Sequence, residues 1–489
     1  MGEHLKEKIM KPFLTIKEIK ETIASKEVSI AEVSAFYQER LKQYNPKLNA
    51  ALEVFDNPER PTDQAADKVL GGIPCIIKNN ICQKGRITTA GSKILQNYTA
   101  PYDATVTARL KQAGAVSLGS ANMDEFAMGS SGDFSAFGPT HNPWEHGRVP
   151  GGSSSGSAAA VAAGLVPFAL GTETGGSVRH PAAYCSLVGM YPTHGHNSRY
   201  GVIAFTSSTD QVGSLTKTVY DNALVMSALS GFDPLDSTSI QQEAQDYTKA
   251  LDGKIPAGLT IGVINDGLET DGLDPQIRSS FNNSIEQLKK LGATIKQINL
   301  PHFKYGIALY FIISRAEAAS NLSRFDGTLY GVRSEHMENL FDMYLNTRQE
   351  GFGIEIKRRI LVGNYVLSAG HQDQYYNKAQ LVRAMVRAEF EAAFKDVDLL
   401  ASPTTANLPF KIGELVNDPI AMYMNDYYST ANCIIGTPAI SIPCGFSQEN
   451  LPIGFQLLGP RLSEQLLYKV AYAFEQSTDY HLRFPGGFE

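Results

Sequence analysis

The stretch PGGSSSGSAAAVAAGLVPFALGTETGGSVR, residues 150–179, holds two loops rich in glycine and hydroxyl side chains, separated by a run of small apolar residues. A solvated linker would not continue into AAAVAAGLVPFALG, which has the composition of a protein core. The pattern predicts a small-residue helix over 155–163, a buried strand over 166–170 and a loop over 171–179. Pro181 is then expected to open another helix.

Alternation of helix and strand extends to both sides of this stretch. Two amphipathic helices are predicted near the start, over 15–24 and 30–44, with Ser29 as the N-cap of the second. A helix, a glycine and a short buried strand follow one another over 104–118 and again over 288–298, a pattern typical of α/β architecture. Further strands are predicted over 51–55, 74–78, 259–264, 399–402, 439–443 and 454–458, and a closing helix over 464–475.

No internal repeat or low-complexity linker divides the 489 residues, so we predict one large α/β domain. About residues 1–60 form N-terminal helices, and about 60–230 contain the Gly/Ser-rich loops. A helical insertion occupies about 303–397, and about 398–489 return to the core.

Composition excludes several classes of function. The net charge of −7 argues against a chain that grips nucleic acid directly, because neutralising phosphates supplies most of that affinity. The apolar run 158–170 is interrupted by Gly164 and Pro167 and falls short of the about 20 residues of a membrane span. No two cysteines have metal-ligand spacing, so we expect no metal and reduced, buried thiols in a cytoplasmic protein. The cysteines are Cys75, Cys82, Cys185, Cys433 and Cys444.

Two enzymatic interpretations of the Gly/Ser-rich loops remain open at this level. Residues 152–156 formally fit the G-x-S-x-G nucleophile elbow, but the preceding HGRVPGG is poor strand material. In the second interpretation Gly175 and Gly176 precede a nucleophilic Ser177, and successive backbone N–H groups of a Gly-rich turn stabilise an oxyanion.

A serine nucleophile needs a base, and Lys78 is a candidate. It ends the apolar segment IPCIIK, where burial would lower the pKa of its amine and favour the neutral form. A neutral amine could take a proton from Ser177 through the hydroxyl of Ser153.

Three segments carry a resemblance to a known family. GIPCIIKNN at 72–80, PGGSSSGSAAAVAAG at 150–164 and GTETGGSVRHPAA at 171–183 resemble, in order and spacing, the catalytic segments of the amidase signature family. The resemblance implies one domain with a mixed central sheet covered by helices on both faces. It also implies roles for particular residues: Lys78 as base, Ser153 as bridging serine in a cis peptide conformation, Ser177 as nucleophile, Ser154 as support, and the amides of Thr174, Gly175, Gly176 and Ser177 as the oxyanion hole.

Within that family the chain is most similar to the A subunits of tRNA-dependent amidotransferases. GSANMDEFAMGSS at 119–131 and NLPIGFQLLGP at 450–460 carry this resemblance, which runs nearly end to end. It implies glutamine hydrolysis, with the ammonia passed to a partner that amidates Glu-tRNA(Gln) or Asp-tRNA(Asn). The implied partners are a B subunit, which binds tRNA and uses ATP and Mg, and a small C subunit in a heterotrimer. No cofactor is implied for this chain.

The same resemblance assigns the two ends of free glutamine to single residues. Arg359, in KRRI at 357–360, would pair with the α-carboxylate, although its neighbour Arg358 is an alternative. Asp426 would pair with the α-ammonium. The alternatives to a glutaminase are a free-standing amidase acting on another small amide, or a catalytically weakened scaffold subunit.

Four residues depart from the pattern expected of the family. Asn79 stands where aspartate is usual, which removes a carboxylate near the proposed base. Ser155 replaces a glycine and is expected to strain a turn. Tyr191 and His196 stand where lysine and arginine are more typical. These changes affect the expected rate and substrate preference more than the class of reaction.

Overall fold

The computed structural model describes residues 10–62, 65–268 and 272–489. Its strands are β1 (Ala51–Val54), β2 (Pro74–Lys78), β3 (Val116–Ala121), β4 (Phe168–Glu173), β5 (Val188–Tyr191), β6 (Gln211–Thr216), β7 (Thr260–Ile264), β8 (Thr294–Ile298), β9 (Leu399–Pro403), β10 (Ala439–Phe446) and β11 (Pro452–Leu458). They form one sheet in the order β1-β3-β2-β4-β6-β5-β10-β11-β9-β7-β8.

Fifteen α-helices accompany the sheet in the described part of the chain. They are α1 (Ile16–Ala24), α2 (Ile30–Leu48), α3 (Thr105–Gln112), α4 (Ser155–Ala162), α5 (Arg179–Tyr184), α6 (Val219–Leu229), α7 (Asn265–Leu268), α8 (Pro275–Lys290), α9 (Gly306–Asn321), α10 (Leu340–Gly351), α11 (Ile354–Leu367), α12 (Lys378–Asp396), α13 (Pro419–Met424), α14 (Thr430–Ile435) and α15 (Glu464–Gln476). None of the helices in these described ranges combines the length and apolar character that a bilayer span requires.

The sheet is mixed, and its parallel part positions the Gly/Ser-rich loops. Strand β2 is parallel to both β3 and β4, whereas β6, β5, β10 and β11 join one another in antiparallel pairs. Parallel strands end at the same edge of a sheet, so the carboxyl ends of β2 and β4 lie side by side. Lys78 is the last residue of β2, and the loop containing Ser177 follows directly after β4.

The predicted α/β domain with a mixed sheet is confirmed, and local signals account for much of it. Ser29 caps α2 in a capping box with Glu32, as the sequence predicted for the cap. Strand β2 has the predicted bounds, and helices α9 to α12 occupy the segment predicted as a helical insertion. All five cysteines are buried, free thiols.

Three local predictions were wrong. The strand before the loop that contains Ser177 (residues 174–178, called the nucleophile loop) runs on to Glu173, because its last residues still pair with β6. Helix α5 begins at Arg179 rather than Pro181, since the Glu173 carboxylate accepts a hydrogen bond from the Arg179 N–H. Strands β5 and β6 were missed, because each is short, contains glycine and lies buried on both faces without polar alternation.

Candidate active site

Lys78 occupies the centre of the site, at the carboxyl end of β2. Its side chain is fully buried, with Nζ 2.8 Å from Ser153 Oγ and 2.9 Å from Ser154 Oγ. A third hydrogen bond runs from Nζ to the carbonyl oxygen of Thr172, at 3.1 Å. The peptide bond between Gly152 and Ser153 is cis. The fold therefore brings together the lysine and both serines of the first predicted loop.

Burial sets the protonation of this lysine. Desolvation lowers the pKa of Lys78 to about 7, against the opposing attraction of Asp124, Asp210 and Glu173. Burial also raises the pKa of Asp124 to about 6, although the N–H groups of Gly132 and Phe134 donate to its carboxylate. Near neutral pH the amine is thus a base with a substantial neutral population, as general-base catalysis requires.

The second loop touches the first through the main chain. The N–H of Ser154 donates to the carbonyl oxygen of Ser177 at 3.1 Å, and Ser177 is 6% exposed. Within the described ranges, Ser177 Oγ has no hydrogen-bond partner. The Ser177 hydroxyl is therefore not engaged in holding the fold, and it lies beside the loop that contacts the lysine.

A buried carboxylate closes the nucleophile loop on itself. Glu173, the last residue of β4, accepts hydrogen bonds from the N–H groups of Val178 and Arg179 at 3.0 Å each. The guanidinium of Arg179 also pairs with Glu173 and donates to Gln456 on β11 and to the Ser429 carbonyl oxygen. Both side chains of this ion pair are completely buried. The ends of the loop are held together, and the loop is tied to the C-terminal part of the sheet.

Free main-chain donors remain inside the closed loop. The N–H groups of Gly175, Gly176 and Ser177 donate to no acceptor in the described residues, so they remain available to an oxyanion. The Thr174 hydroxyl donates to Asp210, which anchors the start of the turn. The oxyanion hole predicted from Thr174 to Ser177 stays a prediction.

Replacement of Gly176 by alanine is expected to lower turnover about 100-fold. Its φ is +144°, and a Cβ there would lie 2.4 Å from Ser429 Oγ, so the loop must shift. Steady-state rates and thermal denaturation measure the effect. Gly85→Ala is the control, because Gly85 has φ +76° in open space and its variant should lose stability without losing activity. Wild-type turnover by Gly176→Ala would show that the loop geometry is not needed.

Asp426 lies against the nucleophile loop. A Cβ on Gly176 would come within 3.1 Å of Asp426 Oδ1, and the Ser130 hydroxyl donates to Oδ2 at 2.5 Å. His180 Nδ1 is 3.5 Å from Oδ1, and neither ring nitrogen of His180 makes a hydrogen bond within the described residues. Asp426 therefore presents a carboxylate close to Ser177.

Arg359 is connected to the same region through the ring of Tyr423, 5.4 Å from its guanidinium, because Arg315 contacts both Tyr423 and Tyr310. Its guanidinium is buried and donates from Nε to Glu355 Oε1 at 2.7 Å. The ring of Tyr310 packs on Gly175, since a Cβ there would lie 2.7 Å from the ring, and burial raises the pKa of its phenol against the attraction of Arg359. Arg358 differs, because its side chain is 37% exposed and lines an apolar cavity of about 760 Å³. Of the two neighbours, Arg359 is the buried one.

The departures from the family pattern have local explanations. Asn79 does not contact the Lys78 amine; its side chain accepts from Thr89 and donates to the Ile87 carbonyl oxygen. The strain expected at Ser155 is absent, because Ser155 starts α4 without a positive φ and its hydroxyl is 3.2 Å from that of Thr140.

The other two departures are absorbed into packing. The Tyr191 hydroxyl donates to the Thr209 carbonyl oxygen, and the ring lies 5.6 Å from the Arg179 guanidinium. The His196 ring hydrogen bonds with the Tyr247 hydroxyl at 2.6 Å. Neither side chain contacts Lys78, Ser153 or Ser177.

Sequence reasoning missed the supports of the site. Glu173, Arg179 and Asp124 were not singled out, although all three are buried and charged. The available signal was a glutamate ending an apolar strand with an arginine six residues later, because charged groups are rarely buried unless paired.

With this geometry established, comparison with known proteins decides the family. The sequence matches the Amidase family over residues 32–468. The chain belongs to the amidase signature family. This amidase is 48% identical over 482 residues to the A subunit of the glutamyl-tRNA(Gln) amidotransferase of Cyanothece sp., covering 96% of this chain and 99% of that protein.

Solved structures agree with the family assignment. The amidase superposes on the A subunit of the glutamyl-tRNA(Gln) amidotransferase from Thermotoga maritima with a TM-score of 0.80, at 39% identity and 95% coverage of each chain. It also superposes on the native peptide amidase from Stenotrophomonas maltophilia with a TM-score of 0.81, at 28% identity, covering 97% of this chain and 98% of that one. The amidase is thus an enzyme of a family for which a Ser–Ser–Lys mechanism is typical.

Proposed function

We propose that this amidase hydrolyses glutamine to glutamate and ammonia, and that it does so as the A subunit of a tRNA-dependent amidotransferase. The observation that carries the proposal is a pair of opposite charges beside the nucleophile loop. Asp426 lies against Gly176, and the buried Arg359 is connected to Gly175 through the rings of Tyr423 and Tyr310, which both flank Arg315. A free amino acid carries an ammonium and a carboxylate on one carbon. The Asp426 carboxylate can pair with the ammonium, and the Arg359 guanidinium can pair with the carboxylate. The relatives are named as A subunits of a glutamyl-tRNA(Gln) amidotransferase, which supports the assignment to such a complex.

The chemistry follows from the groups around Lys78. Ser177 Oγ attacks the amide carbon of glutamine, its proton passes to Ser153 Oγ, and the Ser153 proton passes to neutral Lys78 Nζ. The oxyanion accepts hydrogen bonds from the loop amides. Lys78 then returns a proton through Ser153 to the leaving nitrogen, which departs as ammonia and leaves a γ-glutamyl ester on Ser177. Water, deprotonated by the same relay, attacks the ester and releases glutamate.

The ammonia is consumed elsewhere in the proposed complex. A B subunit would bind the mischarged tRNA and use ATP and Mg to activate its carboxylate, with a small C subunit completing a heterotrimer. The net charge of −7 is consistent with leaving tRNA to that partner. We expect this activity in the cytoplasm, where tRNA is charged.

Ammonia release tests the proposal directly. The purified chain, alone and with B and C subunits of a relative, is supplied with glutamine, asparagine and propionamide. We expect turnover of glutamine that rises with the partners and mischarged tRNA. Fast hydrolysis of propionamide by the chain alone, with glutamine left intact, would contradict a glutaminase. Absence of turnover with every amide, in an assembled complex, would contradict any hydrolytic role.

Arg359→Gln is expected to raise KM for glutamine by about 10- to 100-fold with a smaller change in kcat, because a charge-assisted bond to the substrate carboxylate is lost. Arg358→Gln is the matched control, since Arg358 is partly exposed and also bonds to Glu355. Initial rates over a range of glutamine concentrations separate KM from kcat. A larger KM effect from Arg358→Gln than from Arg359→Gln would reverse the assignment.

A further inference from the structure

Arg315 is a buried cation beside the proposed substrate site. It lies on α9 and is 1% exposed. Its Nη1 donates to Ser314 Oγ, but Nε and Nη2 have no hydrogen-bond acceptor in the described part of the chain. No carboxylate pairs directly with it within that part of the chain. A buried guanidinium is normally paired, so this one calls for a physical explanation.

Aromatic rings surround the guanidinium in place of an acid. Its central carbon lies 4.1 Å from the ring centroid of Phe311, 4.7 Å from that of Tyr423 and 5.6 Å from that of Tyr310. Ring faces attract a cation and partly offset its loss of hydration. Two of these rings belong to the substrate region, since Tyr310 packs on Gly175 and Tyr423 lies 5.4 Å from the Arg359 guanidinium.

Glu355 explains why a second cation matters here. Its carboxylate accepts from Nε of Arg359, from Arg358 and from the Tyr423 hydroxyl. Burial opposes its ionisation, but Arg359 and Arg315 hold the pKa of Glu355 below its ordinary value. An ionised Glu355 cancels the charge of Arg359, whereas adding Arg315 leaves the buried group with a net positive charge. The charge of Arg358 is screened by solvent, because that side chain is partly exposed.

The two helices that carry these charges are packed at backbone distance. A Cβ on Gly363 of α11 would lie 2.1 Å from the Arg315 carbonyl oxygen and 2.7 Å from the Ala319 side chain. Helix α11 also carries Glu355 and Arg359. The position of Arg315 relative to this pair is therefore set by the main chain.

We propose that Arg315 is a positioning residue for the substrate carboxylate: it offsets Glu355, so that Arg359 keeps a net positive field for an anionic substrate group. The inference rests on the proposed function, because it assigns the carboxylate of glutamine to Arg359. It adds a specificity determinant that acts through charge without touching the substrate.

Two substrates separate this role from a structural one. Glutamine carries the α-carboxylate, whereas 4-aminobutanamide has the same amide and amine without it. Arg315→Gln is expected to raise KM for glutamine about tenfold at unchanged kcat and to leave kcat/KM for 4-aminobutanamide within about twofold. An equal loss for both substrates, or no loss for either, would overturn the proposal.

A charge cycle provides the second test. Glu355→Gln combined with Arg315→Gln restores the net charge of the buried cluster of Arg315, Glu355 and Arg359. The double variant should therefore reverse most of the rise in KM for glutamine that Arg315→Gln causes. If Arg315→Gln fails to fold, Arg315→Lys is the variant to measure. It keeps the positive charge, so KM for glutamine should stay within about threefold of the wild-type value. A tenfold rise in KM would refute the inference. Wild-type protein that releases no ammonia from glutamine would instead refute the proposed function itself.

Discussion

Replacing Ser177 by alanine is expected to lower the rate of glutamine hydrolysis by at least about 10⁴-fold, because the proposed acyl-enzyme cannot form without its nucleophile. Thermal stability should change little, since the Ser177 hydroxyl has no hydrogen-bond partner in the described ranges. Ammonia release under single-turnover and steady-state conditions, with thermal denaturation alongside, measures both quantities.

Ser157→Ala provides the matched control for this variant. Ser157 is a buried serine of α4 whose hydroxyl donates to the Leu170 carbonyl oxygen at 2.8 Å, outside the lysine cluster. Its variant should lose some stability and keep its activity. Mass spectrometry of acid-quenched wild-type protein should find the γ-glutamyl group on the peptide that contains Ser177. A γ-glutamyl group on Ser153 would exchange the roles of relay and nucleophile.

Replacing Lys78 by methionine is expected to reduce turnover by at least about 10³-fold. In the wild type, kcat/KM should rise with pH through an apparent pKa of about 7, because the active form of the base is the neutral amine. Lys217→Met is the control. Lys217 is a partly buried lysine whose pKa desolvation also lowers to about 7. It donates to the Ser186 and Arg483 carbonyl oxygens, away from the site. Its variant should keep the wild-type pH profile. If Lys217→Met lost that profile and Lys78→Met kept it, the general base would be a group other than Lys78.

The lowered pKa also predicts how stability depends on pH. Lys78 titrates near 7 in the folded chain and near its ordinary 10.5 when unfolded, so the unfolded state binds more protons between these values. The free energy of unfolding of the wild type, relative to Lys78→Met, should therefore increase between pH 7 and pH 10, by at most about 1.4 kcal/mol per pH unit. Denaturant titrations at several pH values measure this difference. A flat difference would mean that Lys78 stays charged in the folded protein.

Local sequence patterns predicted the features that depend only on residues close together in the sequence. The apolar run that ends at Lys78 is a strand with the predicted bounds, and Ser29 is the predicted N-cap. Burial and chemistry made Lys78 with Ser153 a candidate relay, and the resemblance assigned the roles of Lys78, Ser153 and Ser154. Nothing in the spacing of residues 75 apart indicates contact. The structure brings them together through parallel pairing of β2 and β4.

The remaining features depend on contacts across long separations. Arg179 is paired with Glu173 nearby, but its other partners, Gln456 and Ser429, lie far along the chain. The Ser155 hydroxyl lies 3.2 Å from that of Thr140, a contact that no local pattern reveals. The unpaired state of Arg315 is set by three rings and by the carboxylate of Glu355 being already occupied. Such features need the packed structure.

The order of strands has a consequence for synthesis on the ribosome. Strands β1 to β6 come from the first half of the chain, whereas β7, β8 and β9 join them in the sheet through β10 and β11, which are made last. Gln456, which receives a hydrogen bond from Arg179 behind the nucleophile loop, also belongs to β11. A nascent chain therefore contains the lysine and serines long before the loop is held in place. We therefore expect a chain that ends before β11 to contain the lysine and serines without this support for the loop.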